Sequence, residues 1–366
     1  MNIPFVDLHA QYKTIKSEID DAIASVIRES AFIGGKHVKV FEQAFAEMYG
    51  VKHCIAVGNG TDAIYITLKM MGVGPGDEVI TTALSWISTS EVISQTGAKV
   101  VFADIEDDYY TIDPVDLEKK ITPRTKAIIP VHIYGQAANM GEIMRVAKEH
   151  NIRVIEDCAQ AHFGQWEGLN LGTFGAAATF SFFPGKNLGA YGDAGGIITN
   201  DDELAQKFRM FANHGALIKH QHQIEGINSR MDGIQAAILK VKLKHILKWT
   251  EERIVNANRY LELLSGIASL ITPSVRDNTR HVFHLFVIQV EDREAVKYGL
   301  EKIGISTGIH YPTALPFLPA YSHLSHKPDD FPNAHAFTKS NLSIPIYPEL
   351  QSEDIVRICQ VLHNLT

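Results

Sequence analysis

Short apolar runs alternate with amphipathic stretches along the first two thirds of the chain. Seven of these runs have the length and composition of buried β-strands: HCIAV (53–57), EVITT (78–82), KVVFADI (99–105), AIIPVHI (127–133), RVIED (153–157), ATFSFF (178–183) and GIITN (196–200). Between the first two runs, Ile64, Leu68 and Met71 recur at helical spacing, and the turn sequence GPGD follows them. Strands that alternate with helices predict an α/β fold whose mostly parallel sheet is covered on both faces.

The pattern changes after the last of these runs. A long helical stretch covers 233–264, the run HVFHLFVIQV (281–290) has the composition of a further strand, and the apolar residues of 352–362 return to helical spacing. We therefore predict a large domain over residues 1–249 and a smaller C-terminal α+β domain over residues 250–366.

Composition excludes several classes of protein. Hydrophobic residues make up 45 % of the chain and charged residues 21 %, so compositional disorder is not expected. The net charge of -8 argues against a nucleic-acid partner. No apolar run approaches the ~18 to 20 residues of a membrane-spanning helix, and the N-terminus lacks a secretory pattern, so we expect a cytoplasmic protein without a membrane partner.

The first segment that suggests chemistry is ATFSFFPGKNLGAYGDAGG (178–196), in which Lys186 follows a predicted strand. The glycines around Lys186 let the backbone approach a ligand closely. A lysine held at the end of a buried strand can have a lowered pKa and attack an aldehyde. The alternative is an exposed lysine in a flexible turn.

A carboxylate and an amide follow another predicted strand. Asp157 ends the run RVIED, where it can pair with the protonated pyridine nitrogen of pyridoxal 5'-phosphate (PLP) or cap a following helix. Gln160 can donate to the phenolic oxygen of PLP, or it can be an ordinary exposed amide.

A third segment, VGNGTDAIYITL (57–68), reads as a strand, a glycine turn and a helix start. Free N–H groups there can bind a phosphate through Gly60 and Thr61, with the Ser181 hydroxyl nearby, although a plain turn is the alternative. Trp86 follows another strand and can stack on a pyridine ring or belong to the core. These groups all lie near carboxyl ends of predicted strands, where parallel sheets bind ligands, and together they favour a PLP site.

At this point the sequence resembles the DegT/DnrJ/EryC1/StrS family of PLP-dependent nucleotide-sugar aminotransferases. The resemblance extends over essentially the whole chain, through FVDL (5–8), FIGG (32–35), GNGTDA, GPGDEVITT, IEDCAQAHF, SFFPGKNLGAYGDAGG, NSRMDGIQAAIL and HYP (310–312). It implies the PLP-dependent transferase fold of type I, with a large domain on a mostly parallel seven-stranded sheet and a smaller C-terminal α+β domain.

The resemblance also implies a role for each matched position. Lys186 is the catalytic residue, which forms the Schiff base with PLP and moves the proton. The implied cofactor ligands are Gly60, Thr61, Trp86, Asp157, Gln160, Ser181, Lys186 and Asn228. The implied substrate residues are Arg230, His310 and Tyr311. Asn228 and Arg230 would reach the site of a partner subunit, since members of the family are homodimers with shared active sites.

The implied reaction moves an amino group from L-glutamate to a nucleotide-linked keto-sugar. The segment PGKNLGAYGDAGG is similar to that of members that act at C3, which implies a dTDP-3-keto-6-deoxyhexose or a UDP-3-keto-sugar. Amination at C4 is the alternative within the family.

Other functions remain as alternatives. A PLP sugar dehydratase of the same fold carries histidine in place of the lysine, and a non-catalytic regulator would not need Lys186. An oxidoreductase would need a G-x-G-x-x-G turn after an early strand, and none is found there. The closest histidine pairs, His220 with His222 and His281 with His284, lack further ligands, and the second pair would point to opposite faces of a strand, so no metal is predicted.

Overall fold

The structure is a computed structural model that describes residues 2–366. Its strands, in chain order, are β1 (His53–Val57), β2 (Glu78–Thr82), β3 (Lys99–Ala103), β4 (Thr125–Ile129), β5 (Arg153–Asp157), β6 (Gln165–Trp166), β7 (Leu169–Asn170), β8 (Ala177–Ser181), β9 (Gly195–Thr199), β10 (Ala216–Ile218), β11 (Gln221–His222), β12 (Leu270–Ile271), β13 (Thr279–Arg280), β14 (Phe286–Val290) and β15 (Asn341–Ile344).

The helices are α1 (Leu8–Thr14), α2 (Lys16–Arg28), α3 (Gly35–Tyr49), α4 (Gly60–Met70), α5 (Ser88–Gln95), α6 (Pro114–Lys119), α7 (Met140–Glu149), α8 (Asp202–Ala212), α9 (Gly233–Leu243), α10 (Ile246–Leu264), α11 (Arg293–Lys302), α12 (Pro332–Ser340) and α13 (Ser352–Leu365). Short 3-10 helices cover Ile133–Gly135, Leu315–Phe317, Pro319–Leu324 and Pro328–Asp330. Among the helices of residues 2–366, none combines the length and apolar character needed to cross a bilayer.

Seven strands form the central sheet in the order β1-β9-β8-β5-β4-β2-β3. The pairs β8/β5, β5/β4, β4/β2 and β2/β3 are parallel, whereas β9 runs antiparallel to both β8 and β1. The predicted α/β fold with a mostly parallel seven-stranded sheet is therefore confirmed. The run at 127–133 was predicted too far along the chain, because Pro130 has no N–H for a sheet and the 3-10 helix at 133–135 follows.

Apolar layers cover both faces of this sheet. On one face, Phe45 of α3 contacts the rings of Phe180 and Phe182 edge to face, at centroid distances of 5.2 and 5.4 Å. On the other face, Ile64 of α4 and Phe208 of α8 belong to a second buried cluster. Since β2 and β9 are also fully buried, the two layers hold the carboxyl ends of the parallel strands in place.

The C-terminal part of the chain carries its own small sheet, β12-β14-β15. Helix α11 packs against β14 and β15, and residues of α10 and α13 belong to the same buried apolar cluster as the sheet. The predicted long helix over 233–264 is divided at residues 244 and 245 into α9, which packs on α2 and α3, and α10, which packs on α13. The N-terminal residue Ile3 pairs with Ile305 of this part. The boundary at 249/250 stays a proposal, and it falls inside α10.

Candidate active site

A cavity of about 570 Å³ lies at the carboxyl ends of β4, β5 and β8, and loops of the C-terminal part close one side of it. Nine of the predicted site residues line it: Gly60, Thr61, Trp86, Asp157, Gln160, Ser181, Lys186, His310 and Tyr311. The predicted residues Asn228 and Arg230 lie outside it, with exposed side chains, and Arg230 donates to Asn213 Oδ1 (3.2 Å).

Lys186 lies in a tight loop after β8. Its N–H donates to the Phe183 carbonyl (2.8 Å), and the Ala190 N–H donates to the Phe182 carbonyl (2.7 Å). A Cβ at Gly189 would lie 2.3 Å from the Pro184 carbonyl oxygen, so the loop closes only around a glycine there. The side chain of Lys186 is half-buried and faces the cavity rather than bulk solvent.

The electrostatics of Lys186 suit a proton-transfer group. Burial disfavours the ammonium form and lowers the pKa of Lys186 to about 8, against the opposing field of Asp157. At neutral pH such an amine exchanges its proton readily, which an ordinary lysine does not.

Asp157 is fixed at the end of β5. Its Oδ2 accepts from Thr89 Oγ1 (2.9 Å) and its Oδ1 accepts from the Ala159 N–H (3.1 Å). Burial raises the pKa of this carboxyl, while these hydrogen bonds and the charge of Lys186 oppose the shift. No helix follows β5 directly, so the capping alternative does not apply, and the carboxyl faces the cavity.

Gln160 is buried, and both ends of its amide are engaged. Its Oε1 accepts from the Tyr134 N–H (2.6 Å), and its Nε2 donates to the Tyr311 hydroxyl (3.0 Å). The Tyr134 hydroxyl in turn donates to the His310 carbonyl. Gln160 therefore connects the floor of the cavity to the His310–Tyr311 wall, and the exposed-amide alternative is wrong.

The opposite end of the cavity is built to receive an anion. Helix α4 begins at Gly60, and the Thr61 hydroxyl lies 2.7 Å from the hydroxyl of Ser88. A Cβ at Gly60 would lie 2.8 Å from the Cβ of Ser181, so only glycine lets α4 approach β8 this closely. Free N–H groups at a helix start, together with three hydroxyls, are a phosphate-binding arrangement.

Aromatic rings and two histidines complete the walls. Trp86 is 60 % exposed, so it is not a core residue, and its ring lies 5.9 Å from that of Tyr311. His310 stacks on Phe5 (5.6 Å) and bonds Ser343 Oγ through Nδ1 (2.8 Å). Burial lowers the pKa of His310 to about 4, and it lowers the pKa of His284 as well, so both rings are neutral at physiological pH.

The sequence profile of the DegT/DnrJ/EryC1/StrS aminotransferase family matches residues 13–363. The chain belongs to this family. Its aminotransferases use PLP, and the residues of the cavity fit that cofactor. The helix start at Gly60 suits the phosphate, Asp157 suits the pyridine nitrogen, and Lys186 has the lowered pKa that attack on the aldehyde requires.

Individual members of the DegT/DnrJ/EryC1/StrS family are similar over nearly the whole chain. The "Pleiotropic regulatory protein" of Geobacillus stearothermophilus is 46 % identical, with 96 % of this chain and 95 % of that protein covered. The dTDP-3-amino-3,4,6-trideoxy-alpha-D-glucose transaminase of Streptomyces venezuelae is 38 % identical, with 99 % and 96 % covered. The UDP-2-acetamido-2-deoxy-3-oxo-D-glucuronate aminotransferase of Pseudomonas aeruginosa is 40 % identical, with 99 % and 100 % covered.

The fold is equally close to a solved member of the family. The crystal structure of S. venezuelae DesV in complex with a ketimine intermediate has a TM-score of 0.97, with 38 % identity and coverage of 99 % of this chain and 98 % of that chain.

A buried carboxylate below the cavity was not predicted. Glu156 is fully buried, and its Oε1 accepts from the N–H groups of Phe174 and Gly175 (both 2.8 Å). Its Oε2 accepts from the Gly172 N–H (2.7 Å) and contacts His132 Nε2 (3.1 Å). Because His132 Nδ1 accepts from the Ala138 N–H (3.1 Å), Nε2 carries the proton and donates to Glu156.

His132, Glu156 and the nearby Cys158 resemble a metal site only in the short distances between their possible ligand atoms. Ligand atoms of His132, Glu156 and Cys158 lie within 4.8 Å of one another. Four N–H donors already occupy the Glu156 oxygens, and both His132 nitrogens are engaged. Burial also raises the pKa of the Cys158 thiol well above its usual value, so the thiolate that binds metals is disfavoured. The strand predicted over residues 281–290 begins only at Phe286, so His281 and His284 precede β14 and do not lie within a strand.

Ser88 and Thr89 were not predicted as site residues, and His284 was considered only as a metal ligand. Ser88 and Thr89 open α5, just after Trp86. Their side chains reach Thr61 of α4 and Asp157 of β5. His284 Nδ1 lies 3.1 Å from Asn187 Oδ1, next to Lys186, a contact between residues almost a hundred positions apart.

The first prediction concerns the proton of Lys186. In cofactor-free protein, covalent attachment of PLP to Lys186 should accelerate as the pH rises to about 8 and then level off, because the neutral amine is the reactive form. Borohydride trapping followed by mass spectrometry of the Lys186 peptide measures the rate. Lys242, whose pKa is also lowered to about 8 but whose Nζ donates to the Gly189 carbonyl, is the matched control and should stay unmodified. A rate that keeps rising toward the pKa of an ordinary lysine would contradict this.

The second prediction concerns Glu156→Gln. The amide places an NH₂ group against two N–H donors, which costs roughly 2 kcal/mol or more of folding stability because buried donors lose their acceptor. Thermal unfolding should therefore shift to lower temperature, and PLP should be retained less well. Glu47→Gln, at an exposed position of α3, is the control. Equal stability of the two variants would show that the Glu156 charge is dispensable.

Proposed function

We propose that the protein transfers the amino group of L-glutamate to C3 of a nucleotide-linked keto-sugar, either a dTDP-3-keto-6-deoxyhexose or a UDP-3-keto-sugar. The observation that carries this proposal is the cavity, which brings Lys186, Asp157 and the helix start at Gly60 together beside an open aromatic wall. Both transaminases compared above carry a C3 substituent in their names, one on a dTDP-sugar and one on a UDP-sugar.

The residues around the cavity divide the work of such a reaction. When bound, PLP supplies the electron sink that stabilises a carbanion. Asp157 holds a proton at the pyridine nitrogen, and Thr89 and the Ala159 N–H keep the carboxylate oriented toward it. Lys186 would remove the proton from the α-carbon of the amino donor, hold it on its amine and pass it to the cofactor. With the sugar it would run the same transfer in reverse and protonate the carbon that receives the amino group.

The keto-sugar has space on the side of Trp86. The exposed rings of Trp86 and Phe183, 60 % and 55 % exposed, flank the mouth of the cavity, where a nucleotide remains outside while the sugar enters. Neutral His310 and the Tyr311 hydroxyl offer hydrogen bonds to an uncharged sugar without repelling it.

The alternatives have less support. A dehydratase of this fold replaces the lysine, and here Lys186 lies in the cavity with a lowered pKa. The Geobacillus relative has a regulatory name, but a purely regulatory protein would not need Lys186, Asp157 and Gly60 together in one cavity. Amination at C4 is the remaining alternative, and the position of the amino group in the product distinguishes it from amination at C3.

The third prediction is the product itself. Protein loaded with PLP and given nitrogen-15 L-glutamate should label a 3-keto nucleotide sugar at C3, as seen by NMR, and should leave the matching 4-keto sugar unlabelled. Lys186→Met should abolish turnover, since no other lysine lines the cavity in residues 2–366. Label at C4, or no labelling of any keto-sugar, would overturn the proposal.

We further propose a homodimer in which Asn228 and Arg230 complete the partner's site. Both side chains are exposed and lie outside the cavity of their own chain, which leaves them free to reach another. Exposed apolar side chains also cluster near them in sequence at Leu217, Ile218 and Ile224.

The fourth prediction follows from this arrangement. Lys186→Met and Arg230→Ala proteins should each be impaired alone, and after unfolding and refolding together they should regain about a quarter of wild-type activity, because half of the dimers are mixed and half of their sites are intact. A mixture no more active than its components would show that Arg230 acts within its own chain or not at all.

A further inference from the structure

Arg253 is a buried cation that the roles above leave unused. It belongs to α10, is 4 % exposed and lines the cavity together with His284 and Ile346. Its Nη1 donates to the carbonyl oxygens of Ile346 (2.8 Å) and Phe283 (3.3 Å). These two anchors hold the guanidinium group in one position, and Nε and Nη2 make no hydrogen bond to the described residues.

Within residues 2–366, no carboxylate lies within 4 Å of the Arg253 guanidinium group. Other arginines of low exposure do have such a partner: Arg276, whose side chain is 10 % exposed, pairs with Glu106, and Arg293, 16 % exposed, pairs with Glu294. Glu349 makes no ion pair with Arg253, and only its more distant charge raises the pKa of Arg253. Burial has the larger effect and lowers this pKa to about 10. Buried charges in proteins are normally paired, so an unpaired guanidinium group beside a cavity indicates an anion that binds there.

The other charged groups of the cavity already have a function in the proposed reaction. Lys186 reacts with the cofactor, Asp157 faces the pyridine nitrogen, and the start of α4 takes the phosphate. His284 and His310 are neutral because burial lowers their pKa values. Arg253 is therefore the one permanent positive charge on the cavity wall that has no assigned partner.

We propose that Arg253 binds the α-carboxylate of the amino donor. This inference rests on the proposed function, in which that donor is L-glutamate. A guanidinium group offers two parallel N–H donors to a carboxylate, and Nε and Nη2 are on one edge of the planar group. Lys186, Arg253 and His284 line the same cavity, so a donor held at Arg253 has its α-carbon in the same compartment as the Lys186 amine.

A second anion competes for this assignment. The diphosphate of the nucleotide-sugar also suits a guanidinium group, but it carries a bulky nucleoside that must stay outside the cavity. Arg253 lies in the interior, beneath Phe283 and Ile346, whereas the mouth is at the exposed Trp86. The geometry therefore favours the small carboxylate over the diphosphate.

The test separates the two half-reactions of a PLP-loaded enzyme. For Arg253→Gln, the apparent Kd of L-glutamate, followed by loss of the visible band of the bound cofactor, should rise roughly 10- to 150-fold, as expected when a charge-assisted pair is lost. The reaction of the keto-sugar with protein reconstituted with pyridoxamine phosphate should change less than about 3-fold. Arg253→Lys keeps the charge without the two parallel donors and should lie between Arg253→Gln and wild type.

Controls keep the outcomes distinct. Arg276→Gln, which removes an arginine with a 10 % exposed side chain outside the cavity, reports what such a loss costs in thermal stability. If Arg253→Gln does not fold, the comparison of Arg253→Lys with wild type decides, because a purely structural role predicts equal effects on both half-reactions. A loss confined to the keto-sugar half-reaction would assign Arg253 to the diphosphate and overturn the proposal.

The same measurements show separately whether the proposed transfer from L-glutamate is wrong. If wild-type protein reacts with another α-amino acid but not with L-glutamate, the proposed donor is wrong, and the same comparison is made with that amino acid. A wild-type reaction with any amino acid that Arg253→Gln leaves unchanged would overturn the carboxylate assignment alone. If no α-amino acid reacts with wild-type protein, both the function and the assignment are wrong.

Discussion

The structure depends on a buried carboxylate that never meets the substrate. Glu156 ends up beneath the cavity with four N–H donors around it, one from His132 and three from the turn at 172–175. A carboxylate taken out of water is stable only when its lone pairs are filled in this way. The turn and the loop after β4 are thereby fastened to β5, and the next residue along β5 is Asp157. The hydrogen bonds of Glu156 therefore also fix the position of the Asp157 carboxyl group, which faces the cofactor site.

Burial also sets the charge states of the cavity. The same desolvation that lowers the pKa of Lys186 to about 8 keeps His284 and His310 neutral and raises the pKa of Asp157. Each shift moves a group toward its uncharged form, since a cavity walled by protein solvates ions poorly. Arg253 is the exception, because a guanidinium group holds its proton even at a pKa of about 10. A mobile proton on Lys186 and a permanent charge on Arg253 are therefore compatible in one cavity.

Local patterns in the sequence predicted the sheet and half of the site. The seven strands could be predicted because each is a short apolar run. Lys186, Asp157 and Gly60 could be predicted because each lies at the end of such a run or within three residues after it. The Glu156 network could not be predicted, since it requires the order of the strands and brings residue 132 to residues 156 and 172–175. The sequence does not connect His284 or Arg253 with this site, because both come from the C-terminal part, more than sixty residues from Lys186. The break between α9 and α10 leaves no signal in a continuous helical pattern.

Two parts of the chain form the walls of the cavity: the loops of the seven-stranded sheet, and the N-terminal segment together with the C-terminal part. Its cofactor side comes from turns on the seven-stranded sheet, whereas Phe5, Arg253, His284 and the His310–Tyr311 wall come from the N-terminal segment and the C-terminal part. Ile3 of that segment pairs with Ile305 of the C-terminal part and is buried in the same apolar cluster, so the two are joined. Specificity can consequently be redesigned by exchanging this piece between relatives as a unit, while the cofactor chemistry on the large sheet is left untouched. Chimeras cut through the segment alone would separate Phe5 from the His310 ring on which it stacks.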